Sequence, residues 1–446
     1  MQPLRIAVVI PVYNAAPQLR ACLESLRRSS YREFECIVVD DGSTDESAAV
    51  AREFGVRVLS TDGRKGPACA RNIGARAAAD AEILFFVDSD VCVFPGTLPR
   101  LGAAFEHDPE LDALIGSYDD SPDSPDFISQ YKNLMHCYVH QHAKEEASTF
   151  WSGCGAIRRS VFLEFAGFDE HAYQRPAIED IELGYRLHSA GRKMVLDRQL
   201  QVKHLKKWTF WGLIKTDIQD RGIPWTELIL RQGRMPDDLN VQLSQRVSVA
   251  LVFLLVGLSL AMAVWWRGYF LTPLFAVVLF LLSRYWVEAA VGRNRGAIVA
   301  ISCSMAAIVT MAWMYHMLGL IPPLLLAMVV LFFRHRYARP NAKRIRMALA
   351  LVVCYATIAI VSTIWYLPHH RGFMLAILGV FALVVALNSN FYIFLAGKKG
   401  GFFAIAAIPF HLLYHFYNGI SFCIGLVRYV FKTHSQSARE IRTDQL

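Results

Sequence analysis

Ile83–Asp90 reads ILFFVDSD, and the rest of the chain is organised around it. A short apolar run bounded by polar residues is the pattern of a strand buried on both faces. Its end delivers Asp88 and Asp90 to the carboxyl edge of a sheet, where open α/β sheets take their ligands. Two carboxylates held that close repel each other unless a positive charge sits between them. A divalent cation with oxygen ligands meets that need, and such sites usually carry substrate phosphates. The plain alternative is a strand followed by an acidic turn, and the flanking sequence decides between the two.

The 446 residues are 54% hydrophobic and carry a formal net charge of +8, which is too apolar for an ordinary soluble enzyme of this length. The apolar residues are unevenly placed. Residues 1–245 mix charge, glycine and short apolar runs, whereas residues 246–431 hold long apolar runs broken by basic clusters. This pattern predicts a soluble α/β domain followed by a membrane domain. Arg5–Val12 enters a strand pattern directly, without the charged start and cleavage site of a signal peptide, so the soluble part is expected in the cytoplasm. The nine cysteines stand singly with no C-x-x-C pair, which argues against a disulfide framework or a zinc site.

Upstream of the opening stretch, Arg5–Val12 (RIAVVIPV) is a buried-strand run ended by Pro11 and the polar Tyr13-Asn14. A helix is expected over 17–28. Cys36–Val39 is a second strand, ending in DDGSTD from Asp40 to Asp45, with Gly42 for the tight turn and Ser43 or Thr44 to cap the next helix. Alternating strands and helices give a parallel sheet with right-handed crossovers. That topology sets Pro11–Asn14 beside Asp40 and Asp41 at one sheet edge, where the aspartates can accept hydrogen bonds from a nucleotide base or ribose. Gly66–Ala75 (GPACARNIGA) opens a helix of small residues that lets a backbone or ligand approach closely, and Arg71 on it can counter a diphosphate.

PVYN, DDGSTD, GPACARNIGA and FVDSD, in this order, resemble the motifs of inverting family 2 glycosyltransferases of GT-A fold, over about residues 4–202. The resemblance implies a nucleotide-sugar donor without saying which sugar. It implies that Pro11, Tyr13, Asp40, Asp41 and Arg71 hold the nucleotide. It further implies that Asp88 contacts ribose or metal, and that Asp90 ligates Mg²⁺ or Mn²⁺ bridging the diphosphate. Downstream, Ser152–Gly155 (SGCG) opens a strand, and Gly153 permits close backbone approach to a donor sugar. Ala177–Arg186 reads AIEDIELGYR, with Glu179 and Asp180 near a helix start, where the dipole favours carboxylates. Inverting transfer needs one base to take the acceptor proton while metal and diphosphate handle the leaving group. By resemblance to the family's E-D motif, Asp180 is that base and Glu179 positions the acceptor. His204, in QVKHL, falls where GT-A enzymes often complete the metal shell.

Lys206–Arg231 mixes Trp208, Trp211 and Trp225 with basic residues, a composition suited to helices lying at a membrane surface. Within it QDRGIPW occupies the place of the Q-x-x-R-W motif of processive synthases, but Arg221 and Trp225 are four apart rather than adjacent. A single transfer is therefore favoured, with Arg221 and Trp225 as acceptor-side candidates. Six spans follow, at 247–266, 269–286, 297–315, 317–333, 348–367 and 373–391, with basic loops on the cytoplasmic side as the positive-inside rule requires. The apolar stretch 402–430 is expected not to cross, with breaks at Pro409 and Asn418-Gly419. His411 and His415, one turn apart in it, are read as interface or packing residues first, with phosphate contact as the lesser alternative.

The domains expected are thus a GT-A domain over 1–205, interfacial helices over 206–245, an all-α transmembrane domain over 246–431 and a cytoplasmic tail over 432–446. The function expected is a multi-pass inner-membrane enzyme moving a sugar from a UDP- or GDP-sugar to a lipid-linked acceptor in the bilayer, with no nucleic-acid polymer as partner. Rivals are a polyprenyl-phosphate sugar synthase, a processive polysaccharide synthase, and a transporter or scaffold with an inactive transferase domain. Few charges lie within the spans, which gives little sign of an ion pathway.

Overall fold

The computed structural model describes residues 3–233, 235, 241–265, 299–300, 302–304, 306 and 371–443. The chain divides into two compact units, Met1–Ala250 with Leu387–Leu446, and Leu251–Ala386. The first unit is built on one eight-stranded sheet. Its strands are β1 Ile6–Val12, β2 Phe34–Asp40, β3 Arg57–Ser60, β4 Ile83–Val87, β5 Val91–Val93, β6 Ala113–Tyr118, β7 Cys154–Arg158 and β8 Met194–His204. Their spatial order is β3-β2-β1-β4-β7-β6-β8-β5. β1, β2, β3 and β4 pair in parallel, as do β6 and β8, while β7 and β5 run against their neighbours. The sheet is therefore mixed, and its expected parallel character is purest in the first half.

Helices cover both faces. Alternate residues of each central strand point to opposite sides, so two cores form. On one side Ile6, Val8, Ile10, Phe85 and Val87 meet α1 (Ala16–Arg27), α2 (Ser47–Glu53) and α4 (Thr97–His107). On the other, Ala7, Val9, Leu84 and Phe86 meet α3 (Pro67–Ala77), α6 (Arg159–Glu164) and α7 (Glu179–Ser189). All five residues of β4 are buried. Burying side chains of that size is worth roughly 1.5–3 kcal/mol each, which fixes this strand at the centre. The small residues of α3 have a steric cause: a Cβ on Gly74 would stand 2.4 Å from Val9 Cγ1. The expected cap at Ser43 or Thr44 is not made, because α2 begins only at Ser47 and has no side-chain cap. Both residues instead bond to Asn14.

After β6 the chain forms α5 (Phe127–His142). After β8 come α8 (Phe210–Lys215), a π-helix (Thr216–Gly222) and α9 (Ile223–Gln232), in the segment expected to be amphipathic. Its tryptophans do not behave alike: Trp211 is 75% exposed, whereas Trp208 is buried. α10 (Leu243–Trp265) contains Leu243–Met262, the one helix among the described residues long and apolar enough by itself to cross a membrane. α11 (Arg371–Leu387) and α12 (Ser389–Lys399) pass the same test together but are bent by 64°. The sixth expected span thus breaks at Asn388 rather than running to Phe391. The expected spans at 269–286, 317–333 and 348–367, and nearly all of 297–315, lie outside the described residues.

The last helix corrects the sequence reading. α13 runs from Gly401 to Thr443 without interruption, through Pro409 and through Asn418-Gly419. One proline removes a single intrahelical hydrogen bond and crowds the preceding turn. Here α13 packs along α9, α12 and the π-helix, and that lateral burial outweighs the local penalty. His411 and His415 are buried, as packing residues should be.

Candidate active site

The strand order reverses between β1 and β4, and ligands of open α/β sheets bind outside the strand ends at such a point. Val12 stands opposite Asp40 in register, so the ends of β1 and β2 do lie side by side. Their polar residues, however, are largely engaged with each other. Asn14, at a φ of 49°, accepts from Thr44 N at 2.7 Å and from Asp45 N at 3.3 Å. Asp40 Oδ1 accepts from Ser43 N at 3.0 Å. The buried Asp41 carboxylate accepts from Lys65 N at 2.7 Å, Gly66 N at 2.9 Å and Thr61 Oγ1 at 2.9 Å. It thereby closes the loop that leads into α3. Pro11 is buried within β1. Tyr13 is exposed, as is Asn14, and the Arg64 guanidinium lies 4.2 Å from the Tyr13 ring centroid. Arg64 is a cation at this edge that sequence reading passed over.

Arg71 is the hinge of the arrangement. It is buried on α3, donating from Nη2 to Asp88 Oδ1 at 2.6 Å and from Nη1 to Glu179 Oε1 at 2.8 Å. One planar fork thus ties the end of β4 to the start of α7. The carboxylates hold the guanidinium in its charged form, raising it against the opposing effect of burial. Arg71 is therefore committed to two acids of its own chain. Glu179 is also buried; its Oε2 accepts from Ala177 N at 3.0 Å. Burial raises the Glu179 carboxyl although Arg71 acts the other way.

Asp180 follows at the first turn of α7. Its Oδ2 accepts from Ser152 N and Ser152 Oγ, each at 2.9 Å, and its Oδ1 from Ile181 N at 2.8 Å. The carboxylate is held in one orientation and stays partly accessible. Ser152 was quoted in the SGCG motif but not assigned this part. A Cβ on Gly153 would meet the Trp151 indole at 2.8 Å, so the small residue there makes room for a side chain of the same chain.

Asp90 lies across the site with His204. The His204 Nε2 stands 3.5 Å from Asp90 Oδ2, and its Nδ1 is 2.7 Å from Asn133 Oδ1. An amide oxygen only accepts, so Nδ1 carries the proton and Nε2 is the nitrogen turned toward Asp90. The ring is stacked on Tyr118 at 4.1 Å between centroids and a 6° interplanar angle. Burial works against ionisation of Asp90, but His204 and Lys206 prevail and lower its carboxyl to about 2. Among the described residues no group of three or more His, Cys, Asp or Glu side chains is disposed to hold a metal ion. Asp90 and His204 stand together as one carboxylate and one imidazole, while Asp88 faces Arg71. Such a set fits a cation that takes its other ligands from a diphosphate and water.

Of the two acceptor-side candidates, Arg221 of the π-helix lies with Nη1 3.1 Å from His136 Nε2 and 3.8 Å from Asp217 Oδ1. Asp217 is itself buried, accepting from Lys132 Nζ at 2.7 Å and from the Tyr417 hydroxyl at 2.6 Å. Trp225 donates from Nε1 to the Tyr185 hydroxyl at 3.2 Å. Arg221 and Trp225 are thus tied to different partners. Lys132, His136 and Tyr417 carried no sequence signal, since each is one polar residue within a helical pattern.

The family model described as Glycosyl transferase family 2 matches residues 7–165. Glycosyltransferase GlyG of Streptococcus pneumoniae is 31% identical over 163 residues, which are 35% of this chain and 54% of that protein. The chain thus spans about half the length of that relative. The O-antigen chain rhamnosyltransferase RfbN of Salmonella typhimurium is 24% identical over 238 residues, 50% of this chain and 75% of that one. Among solved structures, the mannosyltransferase PcManGT of Pyrobaculum calidifontis, in complex with GDP-Man and Mn²⁺, aligns at 18% identity. That alignment covers 76% of this chain and 89% of the other, with a TM-score of 0.42. Residues 7–165, which supply seven of the eight strands of the mixed sheet, thus match the model of family 2 glycosyltransferases.

Proposed function

We propose that this chain is a membrane-bound, inverting, metal-dependent glycosyltransferase that moves a sugar from a UDP- or GDP-sugar to a lipid-linked acceptor. The observation that carries the reading is the Arg71 fork. It couples Asp88, beside the metal-binding Asp90, to Glu179, beside the base Asp180, so donor and acceptor chemistry meet at one arginine. Relatives of the matched domain are named glycosyltransferases, which supports the class of reaction.

In this reading Asp180 takes the proton from the acceptor hydroxyl as the sugar's anomeric carbon is attacked. Ser152 keeps its carboxylate aimed, and positioning of that kind matters because small displacements of a reacting group are costly. Glu179 stays paired to Arg71 and fixes the first turn of α7. Asp90 and His204 would hold Mn²⁺ or Mg²⁺, which would supply positive charge to neutralise the departing nucleoside diphosphate. Asn133 keeps the His204 tautomer that leaves Nε2 free to ligate.

The test is a nucleotide-sugar panel assayed with membrane lipids and Mn²⁺. Label entering one short lipid is the expected result, label in a polymer would favour a processive synthase, and no turnover with any donor would sink both. Asp180→Asn is expected to lower kcat by at least a hundredfold while donor binding persists. Near-full activity in that variant would point instead to direct attack by a lipid phosphate.

A further inference from the structure

A cavity of about 520 Å³ lies between the loop 172–177, α9 and α13, apart from the donor site described above. Part of its lining is apolar, from Ile223, Pro224 and Leu228. The rest is strongly cationic: Arg175, Arg231, Arg428 and Lys432 line it, with Glu227 as the single carboxylate among the described residues. The cations are only partly neutralised. Lys432 Nζ meets Glu227 Oε2 at 2.5 Å, and Arg175 Nη2 meets Asp220 Oδ1 at 3.2 Å. Arg231 is hydrogen-bonded to the Tyr173 hydroxyl. Arg428 is exposed and pairs with no carboxylate among the described residues. A concave, partly apolar surface with surplus positive charge concentrates anions, and guanidinium groups suit phosphate oxygens through paired N–H donors.

Its place in the chain is as telling as its charge. The loop that walls it runs straight into Glu179 and Asp180, and Ala177 N is bonded to Glu179 Oε2. The other side of the loop presses on the start of α3: a Cβ on Gly66 would stand 2.4 Å from Gln174 O. One strip of backbone therefore separates this cavity from the helix that carries Arg71.

Resting on the transferase reading, we propose that the cavity binds the phosphate or diphosphate group of an amphiphilic acceptor, with its first apolar carbons against Ile223, Pro224 and Leu228. The acceptor is then a phosphate ester, held by the cations of α9 and α13 and presented across the 172–177 loop to Asp180.

The test uses the full chain in neutral detergent, with UDP or GDP and Mn²⁺ saturating the donor site, and isothermal titration with farnesyl diphosphate, inorganic pyrophosphate and farnesol. Farnesyl diphosphate is expected to bind, at least tenfold more weakly in Arg428→Glu and with little change in Arg428→Lys. Arg428 is exposed, and circular dichroism checks that both variants keep the fold. Tighter binding of farnesyl diphosphate than of pyrophosphate assigns the site to lipid-carried phosphate. Equal binding with the same dependence on Arg428 would leave an anion site and overturn the amphiphilic acceptor. Binding insensitive to Arg428→Glu, farnesol as tight as its diphosphate, or no binding of either anion would overturn it. Nucleotide binding measured in the same samples separates the two ideas. If it persists while the anions fail, only the cavity assignment falls; if it is absent, the transferase reading falls.

Discussion

His204 stands between two side chains that decide what its ring can do. Asn133 fixes the proton on Nδ1, and Asp90 faces the other nitrogen. Asn133→Ala should therefore weaken Mn²⁺ affinity by about 10–100-fold, the usual effect of losing a partner behind a metal ligand. Titrating Mn²⁺ into the nucleotide-bound protein measures it, and His204→Ala should impair metal affinity more than nucleotide affinity. Wild-type metal response in both variants would remove His204 from the proposed shell. The thiols of β2 and α5 give a second residue-scale expectation. Burial pushes Cys36 and Cys137 up to about 12. At pH 8 each is then thiolate to only about one part in ten thousand, and the thiolate is the reactive form. Iodoacetamide at pH 8 should label the exposed Cys423 in the native protein and spare Cys36 and Cys137, as peptide mass spectrometry would show. Labelling of Cys36 at the rate of Cys423 would contradict this. Not every side chain that the motifs single out faces a ligand. Asn14 and Asp41 were legible as polar residues at strand ends. Only the folded chain shows Asp41 saturated by Thr61, Lys65 and Gly66, because a carboxylate at a strand end can serve a loop or a nucleotide equally well in sequence.

At the scale of elements, the π-helix and α3 are the positions most exposed to disruption. Lys132 of α5 and Asp217 of the π-helix are both buried, and burial lowers the lysine despite its partner. Asp217→Asn leaves that lysine without a counter-charge and should cost about 3–5 kcal/mol. Urea unfolding of the full chain in detergent is the measurement, and a midpoint shift worth less than about 1 kcal/mol would exclude a buried ion pair. Gly66 has a φ of 94° and sits against Gln174 O, so Gly66→Ala combines backbone strain with a steric clash. The variant should lose both stability and donor binding, because the same turn holds Asp41 and starts the helix of Arg71. Sequence located α3 well because a run of small residues has one mechanical use, close packing on a sheet. It located the π-helix only as a displaced Q-x-x-R-W, since the wider winding depends on what packs around Asp217.

At the scale of the whole molecule, the unit that carries the sheet also includes the C-terminal residues from Leu387 onward. Tyr417 bonds to Asp217, and α13 packs along α9 and the π-helix. A fragment ending at Gln245 should therefore unfold at lower denaturant than the full chain, since Asp217 and the face of α9 lose their cover. A fragment with an unchanged, cooperative transition would contradict that coupling. The sequence by itself determined the strand–helix alternation, the central place of ILFFVDSD and the positions of the acidic motifs. Those features depend on local periodicity and on residues whose chemistry has few other uses. Tertiary structure alone decided that Arg71 serves Asp88 and Glu179, that Asn133 sets the His204 tautomer, and that a proline-containing helix continues unbroken along α9 and the π-helix. Each of those joins residues far apart in the chain, where the burial supplied by one segment outweighs the local preference of another.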